Sequence, residues 1–143
     1  MNDDWNLTRR IKNMIWTISE NYQTQLHTSS ENDEYYTDIQ VFDPMMLYEM
    51  GLDKEEVEAL SIYSSAHQGA HKRLTNVKAL STFLTSRIKS GFDEDIIFSL
   101  VHIGEDIRLD AFVEKERPGC KDFRLKGTQA IMSKLFSPNG NEA

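Results

Sequence analysis

The chain has 143 residues, 39% apolar and 27% charged, with a net charge of −7, an ordinary composition for one globular domain with a buried core. It lacks the run of about 20 apolar residues that a membrane helix needs, and the opening Met1-Asn2-Asp3-Asp4 has neither a basic leader nor an apolar stretch. Cys120 is the single cysteine, which excludes an internal disulfide and multi-thiolate metal sites. A cytoplasmic protein with no membrane association is expected.

The charge is unevenly divided. Residues 1–71 hold four Lys/Arg against thirteen Asp/Glu, a balance of −9, whereas residues 72–136 hold twelve against nine, a balance of +3. Such a division fits a basic half that faces nucleic acid, or two halves that attract each other across the fold.

From Asp4 to about Leu26, apolar residues at Leu7, Ile11, Met14, Ile15, Ile18, Tyr22 and Leu26 form one helical stripe, with Asp3 or Asp4 as its cap. Trp16 lies beside that stripe, as a rim residue of the core or an aromatic for a partner. His27 to Glu34 reads as a loop, and the loose alternation near Tyr36–Phe42 as a short extended segment without an evident partner strand. Asp43-Pro44 starts a short helix that stops at Gly51, and Asp53 caps a helix to about Leu74 in which Gly69 is a weak point. Helices follow over about Asn76 to Ser90, from Asp93 onward to Pro118-Gly119, and over about Thr128 to Phe136. The recurrence of Gly51-Leu52-Asp53 in Gly91-Phe92-Asp93 is a helix stop followed by a cap, not a repeat. The expected fold is all-α: one domain over residues 1–136 with five or six helices, an acidic half 1–71 and a basic half 72–136, then a disordered tail over 137–143.

No Gly-x-Ser-x-Gly elbow and no phosphate-binding Gly-x-x-x-x-Gly-Lys-Ser/Thr loop is present, so no enzyme and no cofactor are expected. Cys120 follows Arg117-Pro118-Gly119, and positive charge there could activate a thiol, but an ordinary cysteine in a turn is the favoured expectation. His67 and His71, one helical turn apart, are weak metal candidates, with Glu58, Asp43 or His102 as third ligands. They share a stripe with Leu60 and Leu74, which favours packing over ligation, so no metal is expected.

The segment Asp93–Glu116 has a helix-turn-helix outline: Asp93–His102, a turn at Ile103–Asp106 around Gly104, then Ile107–Glu116. The fit is imperfect, because Leu100 and Asp110 fall where a small and a buried apolar residue are wanted. A continuous helix through Gly104 accommodates the same spacing. On this basis the chain is expected to be a small, non-catalytic, transcription-associated regulator. It would contact double-stranded DNA through Arg108, Lys115, Arg117, Lys121, Arg124 and Lys126. A protein partner or self-association is expected beside it. The alternative is a protein-binding adaptor or inhibitor with no nucleic-acid contact, using Trp5, Trp16, Tyr35, Tyr36 and the acidic clusters.

Overall fold

A computed structural model of the chain describes residues 2–20, 26–28, 39–41 and 43–135. Helix α1 (Asn2–Ser19) begins before the aspartates expected to cap it and ends seven residues short of Leu26. Glu20 stops it by turning into the left-handed region at φ 55°, where a helix C-terminus is commonly closed. Leu26–Thr28 (β1) belongs instead to a parallel pair with Ile39–Val41 (β2), Leu26 opposite Ile39. The expected extended segment is therefore present at Ile39–Val41, and its partner is a stretch that periodicity had assigned to a helix and a loop. These two short strands leave the class unchanged: the protein is an all-α single domain.

Capping chemistry sets the next boundaries. Asp43 accepts from the Met45 amide at the start of α2 (Pro44–Glu49), and Gly51, at φ 94°, turns the chain out of it. Asp53 opens α3 (Lys54–Leu74) with a capping box: its carboxylate takes the Glu56 amide at 2.9 Å and Glu56 takes the Asp53 amide at 3.0 Å. Asn76 caps α4 (Val77–Lys89), and Gly91, at φ 101°, leads to Asp93, which caps α5 (Glu94–Glu116). After Pro118-Gly119 comes α6 (Cys120–Ala130), which runs into a π-helical turn at Ile131–Leu135. The last helix thus begins eight residues earlier than Thr128. Lys121, Asp122, Arg124 and Lys126 interrupt its apolar pattern, which is why the first two turns look like a linker. Residues 136–143, including the expected tail, lie outside the described residues.

Helix α3 is the central element, and α1, α2, α5 and α6 all pack on it. One apolar cluster joins Leu7, Ile11 and Ile15 of α1 to Leu47, Leu52, Val57, Leu60, Ile62 and Ala130. A second joins Ile18, Ala66 and Ala70 to Leu109, Val113 and Cys120. Gly69, expected to weaken α3, is a buried contact: a Cβ there would lie 3.2 Å from both the Ile15 carbonyl oxygen and the Ile18 Cβ. Gly127 of α6 repeats the device, its Cβ position 3.2 Å from the Leu60 Cα. Glycine at both points lets helix backbones approach more closely than any side chain permits. No helix among the described residues is long and apolar enough to cross a membrane.

The glycine contacts are testable. Gly69→Val and Gly127→Val should each lower unfolding free energy by about 1–3 kcal/mol in urea titrations, because an overpacked interface must part to admit the side chain. A change below about 0.5 kcal/mol would show that the helices have room to spare.

Candidate functional site

Helix α5 runs without a break through Gly104, so the turn expected at Ile103–Asp106 is not formed and the helix-turn-helix outline is absent. Asp106 stands where a second helix would be capped, but its carboxylate turns to His67 instead and the helix continues through it. The six basic residues do not form one face. Arg108 grips Glu105 with two hydrogen bonds of 2.9 Å and reaches the Leu74 carbonyl at the C-terminal end of α3. Lys126 meets Glu55 at 3.1 Å, at the other end of α3, roughly 30 Å away along a helix of that length. Arg124 is paired with Glu114. Lys115, Arg117 and Lys121 are exposed around the α5–α6 connection.

Much of the charge division is consumed inside the fold. Arg73 faces Glu20, Lys126 faces Glu55 and Lys134 faces Glu56, each a basic residue of the second half on an acidic residue of the first. Among the aromatic partner candidates, Trp16 is packed partly buried against the first cluster, as a rim residue. The Trp5 side chain, Tyr35 and Tyr36 lie outside what the structure describes. Cys120 is buried at the start of α6, and burial raises its thiol pKa against the opposing effect of Arg117, so the ordinary-cysteine expectation fits its setting.

Two features stand out instead. The first is the α4–α5 hairpin. α4 packs chiefly on α5, buries only Leu84 to any depth, and leaves Val77 and Phe83 exposed. The C-terminal half of α5 is anchored by Leu109 and Val113. From its first turn to just past its midpoint α5 carries an outward stripe, with Ile96 61%, Leu100 60%, Ile103 56% and Ile107 66% exposed. Steps of four, three and four are the spacing of a heptad seam. Phe92, at the hairpin tip, and Phe98, on the other side of α5, are exposed as well. Gly104, beside the seam, has nothing within 4 Å of where a Cβ would stand.

The second feature is a polar cluster where the root of that hairpin meets α3. His67 and His71 face α5 with ring centroids 4.7 Å apart. His67 Nδ1 lies 3.0 Å from Asp110 Oδ1, and its Nε2 lies 3.0 Å from Asp106 Oδ1. Asp110 also accepts from the Tyr63 hydroxyl at 3.1 Å. His71 Nδ1 contacts Thr75 Oγ1 at 3.0 Å, and Thr75 donates to Glu105 at 2.9 Å. The acidic neighbour of the histidines is therefore Asp106. Of the residues expected in that place, Glu58 is paired with Arg10, Asp43 caps α2, and His102 is exposed one turn before Asp106 on α5. Asp106 was hidden in the sequence because it is 35 residues from His71 and looked like part of a turn. Only the antiparallel packing of α5 on α3 brings it across.

Burial works against protonation of His67, but the hydrogen bond and charge of Asp110, with the charge of Asp106, outweigh it and raise its pKa. His71 moves the other way, lowered by burial and then by its charged neighbour His67. Burial and the Asp110 carboxylate raise the Tyr63 pKa, so the phenol remains a hydrogen-bond donor. Because the folded-state pKa of His67 exceeds its ordinary 6.5, its pairing contributes stability in full below about pH 6.5 and loses it as pH rises through the raised value. Asp110→Asn should lower the His67 pKa in an NMR titration. Its stability deficit in urea should be largest below pH 6.5 and shrink toward pH 8; a deficit independent of pH would detach Asp110 from the imidazole charge. The chain matches no protein family, curated protein or solved structure.

Proposed function

We propose that this protein is a non-catalytic, protein-binding assembly module, and that its α4–α5 hairpin pairs with the hairpin of a second copy. The observation that carries this is the exposed seam Ile96, Leu100, Ile103 and Ile107. Four large aliphatic residues at heptad spacing on one helix are costly to leave in water, and a facing helix removes that cost. On their own they leave on the order of 400 Å² of apolar surface open, within the roughly 300–600 Å² of a patch that is often functional.

A second copy is the favoured occupant because the seam is complementary to itself. It is uniformly aliphatic from Ile96 to Ile107, its flanks include Ser99 and Gly104, and the neighbouring Asp106 and Asp110 are turned to His67. Two hairpins docked on their seams make a four-helix arrangement, the ordinary way for helix pairs to close a core. Gly104 supports the same conclusion. The buried glycines Gly69 and Gly127 each receive a neighbouring helix, whereas Gly104 sits in mid-helix on an open face. A mid-helix glycine costs about 1 kcal/mol relative to alanine, a cost offset where another backbone comes close.

Sedimentation of the full chain at rising concentration tests this. A concentration-dependent dimer is expected, and Leu100→Glu or Ile103→Glu should yield a monomer with unchanged helical circular dichroism. Pairing by apolar seams on chains of net charge −7 should hold or tighten as salt rises, whereas the DNA contact suggested by the basic half would weaken steeply. A parent chain that stays monomeric at several hundred micromolar would sink the proposal. Gly104→Ala should stabilise the monomer by up to about 1 kcal/mol through helix propensity while raising the dimer dissociation constant.

A further inference from the structure

In the His67 cluster a ring nitrogen faces a carboxylate oxygen with room for a positive charge between them, a proton or a metal ion. Asp110 is held by the Tyr63 hydroxyl on one oxygen and faces His67 Nδ1 with the other, so Nδ1 carries a hydrogen. A neutral His67 then turns the lone pair of Nε2 toward Asp106 Oδ1, two acceptors 3.0 Å apart. A proton on Nε2 reconciles those two atoms, and so does a metal ion, for which His71 supplies a second ring nitrogen alongside. Thr75 gives its hydroxyl hydrogen to Glu105, so Thr75 Oγ1 must accept from His71 Nδ1, and His71 also carries its hydrogen on Nδ1. Glu105 is fixed in turn by Arg108. Both imidazoles are thus held from behind through Nδ1, each leaving Nε2 as the nitrogen free to take a proton or a metal ion. Histidines that bind metals are held this way, by a carboxylate or another acceptor on the far nitrogen.

We infer that His67, His71 and Asp106 form a binding site for one zinc-type divalent metal ion. Each residue offers one donor atom, and the three donors lie within 4.8 Å of one another. Two imidazoles and a carboxylate suit zinc and the neighbouring transition metals, with a fourth position left for solvent. The ion takes the place of the proton between His67 and Asp106 and recruits His71, with Asp110 and Thr75 as positioning residues behind the ring nitrogens. It bridges α3 to α5 beside the C-terminal end of the exposed seam, and so straps the root of the hairpin to the helical body. None of the seam residues is among the ligands, so this site stands or falls independently of self-association.

The test uses the untagged full chain stripped with a chelator, with Zn²⁺ alone followed by calorimetry and Co²⁺ alone followed by visible absorption. One ion per chain is expected, with the d–d bands of a four-coordinate cobalt site and a raised thermal midpoint. Asp106→Asn and His71→Ala should each weaken binding at least about tenfold, and Asp110→Asn, which alters only the group behind His67, by about tenfold as well. Asp106 has a side chain 50% exposed, so its variant retains the fold even if His71→Ala does not. No binding and no shift in the midpoint with excess Zn²⁺ would overturn the site. So would one-to-one binding of unchanged affinity in Asp106→Asn.

Discussion

The close approach of α1 and α6 to α3 is the constraint from which the rest of the structure follows. α3 is sheathed on two sides at glycine contacts, Gly69 against Ile15 and Ile18, and Gly127 against Leu60. Many of its other buried residues are small, Ala59, Ser61, Ser65, Ala66 and Ala70, beside the larger Val57, Leu60 and Ile62. Such a helix combines close backbone approach with a few large side chains in the first cluster. A third side of α3 is left for α5, and there the partners change from small and apolar to Tyr63, His67 and His71.

That third contact is mixed by necessity. The C-terminal half of α5 enters the second apolar cluster through Leu109 and Val113, but Asp106 and Asp110 come with it on the adjoining face. Half-buried carboxylates need partners, and α3 supplies them as two histidines and a phenol. Among the described residues, α4 is the element that packs on α5 on the N-terminal side of Asp106. The seam begins where the core ends, so the apolar residues that remain form an arm rather than a second layer of the core. The hydrogen-bonded cluster occupies the joint between the two, where a change in its charge or ligation would be felt by the arm.

Electrostatics that look like a surface property are largely settled internally. The acidic first half and the basic second half meet at Glu20–Arg73, Glu55–Lys126 and Glu56–Lys134. Exposed pairs of this kind add little to stability because solvent screens them, and their larger effect is to neutralise cations that would otherwise be open to phosphate. Arg108 and Arg124 are held by Glu105 and Glu114 in the same way, within the basic half itself.

The sequence by itself determined the helical class and most helix starts, since Asp43, Asp53, Asn76 and Asp93 act through hydrogen bonds to amides two or three residues away. It also determined the inward stripe of α1 and the one-turn spacing of His67 and His71, which depend only on helical periodicity. Where α1 ends was not legible, because Tyr22 and Leu26 keep its period while a distant segment at Ile39–Val41 claims Leu26 for a strand pair. Nor was the role of the glycines legible: Gly69, Gly104 and Gly127 carry the same local cost, and only their neighbours distinguish a close contact from an open face. The helix-turn-helix outline failed for a related reason. A glycine permits a turn but does not require one, and α5 stays straight because its far half is anchored on α3. Asp106 reached the histidines, and the seam was left exposed, through that same packing of α5 on α3, a contact between residues some 35 positions apart that no local pattern encodes.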